Sequence, residues 1–139
     1  MNNGASETPR APLISAYGPD GFTIADSFYQ GSVLIIGASG SGFSILPWTV
    51  KDESELNEQA LDVFVELEEK PSLLLIGAGN EATSPHMTLR IAMRRHGIAA
   101  EVMSTAACCR TWNLVLSEGR KAALAAIAPQ SADKAVSPG

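Results

Sequence analysis

Between Ser72 and Gly77 the chain carries four consecutive large aliphatic residues, Leu73-Leu74-Leu75-Ile76, closed by glycine. A half-exposed strand alternates apolar with polar residues, so an unbroken run this short fits a strand covered on both faces. Such a strand needs a layer above it and a layer below. The same signature, an apolar run and then glycine, recurs as V-L-I-I-G at 33–37.

The segments around Leu73–Ile76 read as alternating helices and strands. Asp52 with Glu55 three residues on forms a capping box. Leu56, Ala60, Val63, Phe64 and Leu67 follow at helical spacing, which predicts a helix over 54–69 that Pro71 stops. Ser84 as a cap with Pro85 at the first position predicts a second helix to about His96, ended by Gly97. A strand at 98–103, a helix at 105–118 closing at Gly119 and an alanine-rich strand at 121–127 complete the pattern. This alternation predicts an α/β domain with a largely parallel mixed sheet and right-handed crossovers. Ahead of it, strands at 13–17, 22–25, 28–30 and 32–36 are punctuated by Gly18-Pro19-Asp20-Gly21 and Gly31, the pattern of an antiparallel ribbon. A further strand at 43–46 is expected to end at Pro47-Trp48.

A chain of 139 residues, 45% of them hydrophobic, can bury one sizeable core and is too short for two ordinary domains. A single domain is therefore assigned to residues 12–128, flanked by small, polar, proline-bearing tails at 1–11 and 129–139 that bury too little to offset their ordering entropy. The net charge of -5 argues against nucleic acid, whose phosphates demand clustered Lys and Arg. No apolar stretch approaches the roughly 20 residues of a membrane span, and the first ten residues lack the apolar core of a signal peptide. The two cysteines, Cys108 and Cys109, are neighbours whose side chains diverge, so a bridge between them would be strained and a reducing, cytoplasmic setting fits.

Most motif-like features lack the chemistry their spacing suggests. G-A-S-G-S-G-F-S at 37–44 has P-loop glycines but Phe43 where the lysine belongs. Gly77-Ala78-Gly79-Asn80-Glu81-Ala82 with Glu101 fits a dinucleotide pattern, yet the next helix starts beyond the glycines, so Gly77 and Gly79 are read as a turn at a strand end, lining any crevice there. His86 and His96, ten residues apart, fall on different helix faces, and no metal set is expected.

The run T-A-A-C-C-R-T-W-N-L-V-L at 105–116 is different. Arg110, Thr111 and Asn113 occupy helical positions where Leu or Lys would serve packing better, which suggests side chains placed for hydrogen bonding. Cys108 shares a face with Trp112, Val115 and Leu116 and belongs to the core. Cys109, near a helix start and beside Arg110, is the one candidate nucleophile, weighed against an ordinary buried thiol. Trp48 is either packing or an exposed anchor for a partner. Eight of the fifteen acids fall between Asp52 and Glu69, whereas Arg90, Arg94 and Arg95 lie on the following helix. The plain interpretation is two solvated faces; the sharper one is a face that meets an oppositely charged partner.

Four segments in combination carry a resemblance: Y-G-P-D-G-F-T-I with G-S-V-L-I-I, I-L-P-W at 45–48, L-L-L-I-G-A-G at 73–79, and the stretch from Gly97 to Arg120. Together they resemble the small Mth-type domain family, whose members include bacterial and archaeal proteins and a mitochondrial assembly factor for respiratory complex I. The resemblance covers 13–128. It implies a three-layer α/β fold and, for the mitochondrial relatives, a non-enzymatic role in complex assembly. Ala106, Cys108 and Trp112 depart from the family's expected Gly, Ala and Tyr, and the missing tyrosine hydroxyl removes one candidate acid.

The sequence thus points to a binding or assembly protein without a cofactor or metal, with Gly77, Gly79, Thr105, Arg110, Thr111, Asn113 and Trp48 as binding residues and another protein as partner. The alternative is a small anion-binding protein or a thiol-dependent enzyme using Arg110 and Cys109. A homo-oligomer with Trp48 and the acidic segment in contact is the third expectation.

Overall fold

The computed structural model describes residues 6–8, 11–37 and 42–130. The remainder of both tails, and the middle of the glycine-rich stretch at 37–44, lie outside the described residues. Among those described, the strands are β1 (Ser6–Thr8), β2 (Ile14–Gly18), β3 (Gly21–Ile24), β4 (Ser27–Gln30), β5 (Ser32–Gly37), β6 (Phe43–Trp48), β7 (Leu73–Gly77), β8 (Ala99–Met103) and β9 (Ala122–Ala126). The helices are α1 (Asp62–Val65), α2 (Met87–Arg94) and α3 (Thr105–Ser117).

One six-stranded sheet runs in the order β1-β6-β5-β9-β7-β8, and a three-stranded sheet in the order β2-β3-β4. The small sheet is the antiparallel ribbon expected from the glycine punctuation. In the large sheet β9 is parallel to β7 and β7 to β8, while β5 meets both β6 and β9 antiparallel. The parallel part is thus the β7–β9 unit built by the helix and strand alternation after residue 70.

The apolar runs do what their patterning predicts. Along β5, β7 and β9 side chains alternate between two cores, as period-2 geometry requires. Val33, Ile35, Leu73, Leu75, Ala122, Leu124 and Ala126 face one core, where Ile14, Phe22 and Ile24 of the small sheet and Cys108, Trp112 and Val115 of α3 meet them. Leu34, Ile36, Leu74, Ile76, Ala123, Ala125 and Ile127 face the other, closed by Trp48, Leu61, Phe64, Leu89, Met93 and Ile98. The result is three layers: α3 with the small sheet, the six-stranded sheet, then α1, α2 and the segment before α1.

Three local expectations need correction. Residues 54–69 do not form a continuous helix. Two single 3-10 turns, Glu53–Glu55 and Gln59–Leu61, precede the four-residue α1. Leu56 is extended at φ -74°, ψ 118°, and the Asn57 side chain accepts the Ala60 amide at 2.9 Å, restarting the chain. Charge supplies a reason: Glu55/Glu58, Glu58/Asp62, Asp62/Glu66 and Glu66/Glu69 would be like-charge neighbours three or four apart on a helix. Each pair costs about 0.2–0.5 kcal/mol, and the apolar stripe is satisfied without the helix because Phe64 is buried and Leu56, Ala60, Val63 and Leu67 pack against the same core. The Asp52/Glu55 pair does not close a reciprocal box: Asp52 accepts the Ser54 amide at 2.9 Å and caps one turn only, while Glu55 reaches back to the Lys51 amide at 2.6 Å instead of that of Asp52.

β6 does not end before Pro47: both Pro47 and Trp48 pair with β5. Among the described residues β1 pairs with Phe43–Ile45 only, so no described strand lies on the other side of Pro47, an edge position that proline tolerates. α2 begins at Met87 rather than at Pro85, because His86 takes the left-handed conformation.

Candidate functional site

The polar residues of α3 serve two different ends. Thr105, buried at the first position of the helix, donates its hydroxyl to the Ile127 carbonyl at 2.6 Å and accepts the Gly79 amide at 2.9 Å. Its own amide donates to the Gly79 carbonyl at 2.8 Å. The hydroxyl therefore joins the chain leaving β7 to the chain leaving β9. Gly77 makes this approach possible, since a Cβ there would stand 2.9 Å from Thr105 Oγ1 and 3.0 Å from Thr105 Cα. Gly79 turns the chain at φ +93°, a conformation glycine adopts without a Cβ penalty.

Asn113 holds the small sheet. Its side-chain oxygen accepts the Ile14 amide and its nitrogen donates to the Ile14 carbonyl, both at 2.9 Å. A side-chain amide thus stands where the backbone of a further strand would be, blocking that edge of β2. Trp112 Nε1 donates to the Pro12 carbonyl at 2.9 Å and fixes the segment just before. Trp48, on the opposite face of the large sheet, is buried and donates its Nε1 to the Ala60 carbonyl at 3.1 Å.

Arg110 is exposed and Thr111 half-buried on the outer side of α3, and neither side chain makes a hydrogen bond or ion pair among the described residues. Leu114, one turn from Arg110, is 58% exposed. Cys108 and Cys109 are free and buried. Burial pushes the Cys109 thiol up to about 12 against the opposing pull of the Arg110 charge, and pushes Cys108 well above the usual thiol value, with Cys109 adding to the shift. At neutral pH both stay protonated, so the thiol-dependent alternative has no thiolate to work with.

The seven binding residues named from sequence do not share one crevice. Gly79 lines a 330 Å³ cavity beyond the carboxyl ends of β7 and β9, walled by Lys51, Glu53, Ala78, Thr83 and Gln130. Trp48 borders an adjoining 370 Å³ hollow with Pro19, Ser32 and Lys51. Arg110, Thr111 and Asn113 line neither. The dinucleotide pattern also separates: α2 begins well beyond Gly79, and Glu101 lies 3.7 Å from an Arg90 guanidinium nitrogen.

A cluster that sequence reasoning missed sits at the rim of the 330 Å³ cavity. Glu53 Oε2 lies 2.6 Å from His86 Nε2 and accepts the Thr83 amide at 2.8 Å, while Oε1 accepts the Thr83 hydroxyl at 3.0 Å. Burial raises the Glu53 carboxyl, but the bonds from His86 and Thr83 outweigh it and hold the group below its usual value. His86 sits at φ 50°, ψ 50°, with its amide donating to Ser84 Oγ at 3.1 Å. This anchored carboxylate ties the turn after β6 to the entry of α2. The partners are some thirty residues apart and no local spacing announces them. A histidine directly after a Ser-Pro pair, a type tolerant of left-handed backbone, was the one available signal.

On the far side of His86 a 760 Å³ groove runs between Leu56–Gln59 and the stretch Ser84–Leu89 with Ala92. Beside it α2 leaves Met87 51% and Ile91 47% exposed.

Three layers around a mixed sheet with a parallel β7–β9 unit give the chain an Mth938-like fold. A Bordetella pertussis Mth938-like domain superimposes with a TM-score of 0.71, covering 86% of this chain and 87% of its own at 19% identity, which speaks for the fold alone. An outer membrane protein from Bartonella henselae superimposes at 0.73 with 32% identity, covering 87% and 97%. The chain belongs to the protein family of unknown function DUF498/DUF598, whose model matches residues 14–127. It is 32% identical over 124 residues to the mouse NADH dehydrogenase (ubiquinone) 1 alpha subcomplex assembly factor 3, covering 89% of this chain but 64% of that protein's length.

Proposed function

We propose that this domain is a non-enzymatic, assembly-factor-like binding protein that acts on another protein during biogenesis of a respiratory or other membrane-bound complex. The observation that carries this is the similarity to the mouse assembly factor, which spans nearly all of the described fold. The site is compatible with it: burial pushes both thiols up, and the hydroxyl of Thr105 and the amide of Asn113 are committed to internal bonds. Among the described residues no helix is long and apolar enough to cross a membrane, and no group of three His, Cys, Asp or Glu side chains is placed to hold a metal. A reducing, cytoplasmic setting is part of the proposal.

Of the residues named from sequence, Arg110 and Thr111 are those left available, and with Leu114 they make the outer face of α3 the proposed contact for that partner. The guanidinium would meet a carboxylate, and Leu114 would supply apolar area. Deleting the gene and resolving membrane complexes on native gels tests the role: the mature NADH-oxidising complex should fall and a subassembly accumulate. Crosslinked purification of the wild-type chain should capture a subunit of that subassembly, and Arg110→Glu with Leu114→Asp should lose it. Unchanged complexes in the deletion strain would overturn the reading.

A further inference from the structure

The structure points to a second surface, distinct from the α3 face: we infer that the groove between residues 56–59 and α2 is where two copies of this chain pair about a twofold axis. The two walls carry opposite charge. Glu58 lines one wall, which continues into exposed Asp62, Glu66 and Glu68. The other wall is α2, ending in exposed Arg94 and Arg95. None of these six side chains is ion-paired among the described residues, although Arg90 is engaged by the Ala100 carbonyl at 3.2 Å and by Glu101. Unmatched charge of both signs therefore flanks a groove beside two exposed apolar side chains, Met87 and Ile91, one turn apart.

The charge pattern selects the occupant. An acidic segment would suit the arginines but meet Glu58, Asp62 and Glu66, and a basic segment would meet the reverse conflict. A second copy brings both signs in the required order, since a twofold contact sets each patch against its complement. The helix geometry agrees. α2 is eight residues, about 12 Å long at 1.5 Å per residue, and Glu58 lines the same groove as Ser84–Met87 at its amino end. Two α2 helices packed antiparallel through Met87 and Ile91 would bring Arg94 and Arg95 of one copy beside Glu58 and Asp62 of the other.

Sedimentation equilibrium of the full chain across a concentration series at low salt tests the pairing. The expected result is a transition from the 14.6 kDa chain to twice that mass, moving to higher concentration as salt is added. Arg94→Glu with Arg95→Glu, and separately Glu58→Lys with Asp62→Lys, should each weaken self-association by about a hundredfold or more, because like charges then face each other. An equimolar mixture of the two variants should restore the doubled mass. All four positions are exposed, and circular dichroism checks that both variants keep the native fold; Met87→Asp at the centre provides an independent disruption. A wild-type chain that stays at single mass throughout, or a dimer that either charge reversal leaves intact, would overturn the inference. Partner capture through the α3 face should persist in the Arg94/Arg95 variant, so failure of the pairing and failure of the assembly role give different results.

Discussion

Replacing Thr105 by Val keeps the shape of the side chain and removes one oxygen. In the native structure that oxygen satisfies the Gly79 amide at 2.9 Å and the Ile127 carbonyl at 2.6 Å, with the residue wholly buried. Among the described residues the Thr105 hydroxyl is the partner of both backbone groups, and both residues are buried. Each buried backbone group left unmatched costs about 1–3 kcal/mol, so Thr105→Val should destabilise the domain by about 2–6 kcal/mol. Thr105→Ser retains both bonds and loses a methyl group, worth about 1 kcal/mol. Urea unfolding of the three proteins measures the difference: with a slope of about 1–3 kcal/mol per molar, the Val midpoint should fall by on the order of 1 M or more and the Ser midpoint by much less. Amide exchange at Gly79 should accelerate selectively in the Val variant. A Val variant as stable as the Ser variant would refute the claim that this hydroxyl locks the strand ends together.

Gly77→Ala should cost about 1–3 kcal/mol in the same assay, because its Cβ meets backbone as well as side-chain atoms of α3 and the whole helix must move to admit it; a neutral effect would mean α3 is not seated where the contacts place it. Glu53 has a folded-state carboxyl held below its unfolded value of 4.5, so its contribution to stability is present above that value and is lost as pH falls through the lower folded value. Urea midpoints followed downward from pH 5 should therefore drop less steeply in Glu53→Gln than in the wild type; parallel profiles would remove Glu53 as the source. Cys109, with its thiol pushed up to about 12, and Cys108, higher than usual by burial, should resist iodoacetamide at pH 7 until denaturant is added. Rapid labelling of the folded chain would reinstate the nucleophile.

The middle of the fold was legible because it depends on patterns with a fixed period. L-L-L-I and V-L-I-I became strands buried on both faces, and the glycine-punctuated residues 13–30 became an antiparallel sheet. What failed was local propensity overruled by charge or by distant partners. Leu56 to Leu67 has helical spacing, yet repulsion among its acids and the Asn57 side chain break it into turns. Pro85 offered a helix start, yet Glu53 anchors His86 and delays α2 by two residues. The Glu53–His86 contact cannot be seen without tertiary neighbours, and although the acidic segment and the arginines of α2 stand out in the sequence, that they wall one groove cannot, because each pairing joins segments about thirty residues apart.

Polar side chains at helical positions do mark a hydrogen-bonding task, but for Thr105, Trp112 and Asn113 the task is internal. A three-stranded sheet is near the lower limit for independent stability and requires a covered apolar face. Ile14, Phe22 and Ile24 provide that face, α3 covers it, and the Asn113 amide and the Trp112 indole fix its register through Ile14 and Pro12. Spending these groups inward removes them from any ligand site, and it leaves the outer row of α3, Arg110, Thr111 and Leu114, rigidly presented on a helix that cannot shift without releasing two sheets. A binding face benefits from that rigidity, since little conformational entropy remains to be lost when a partner docks.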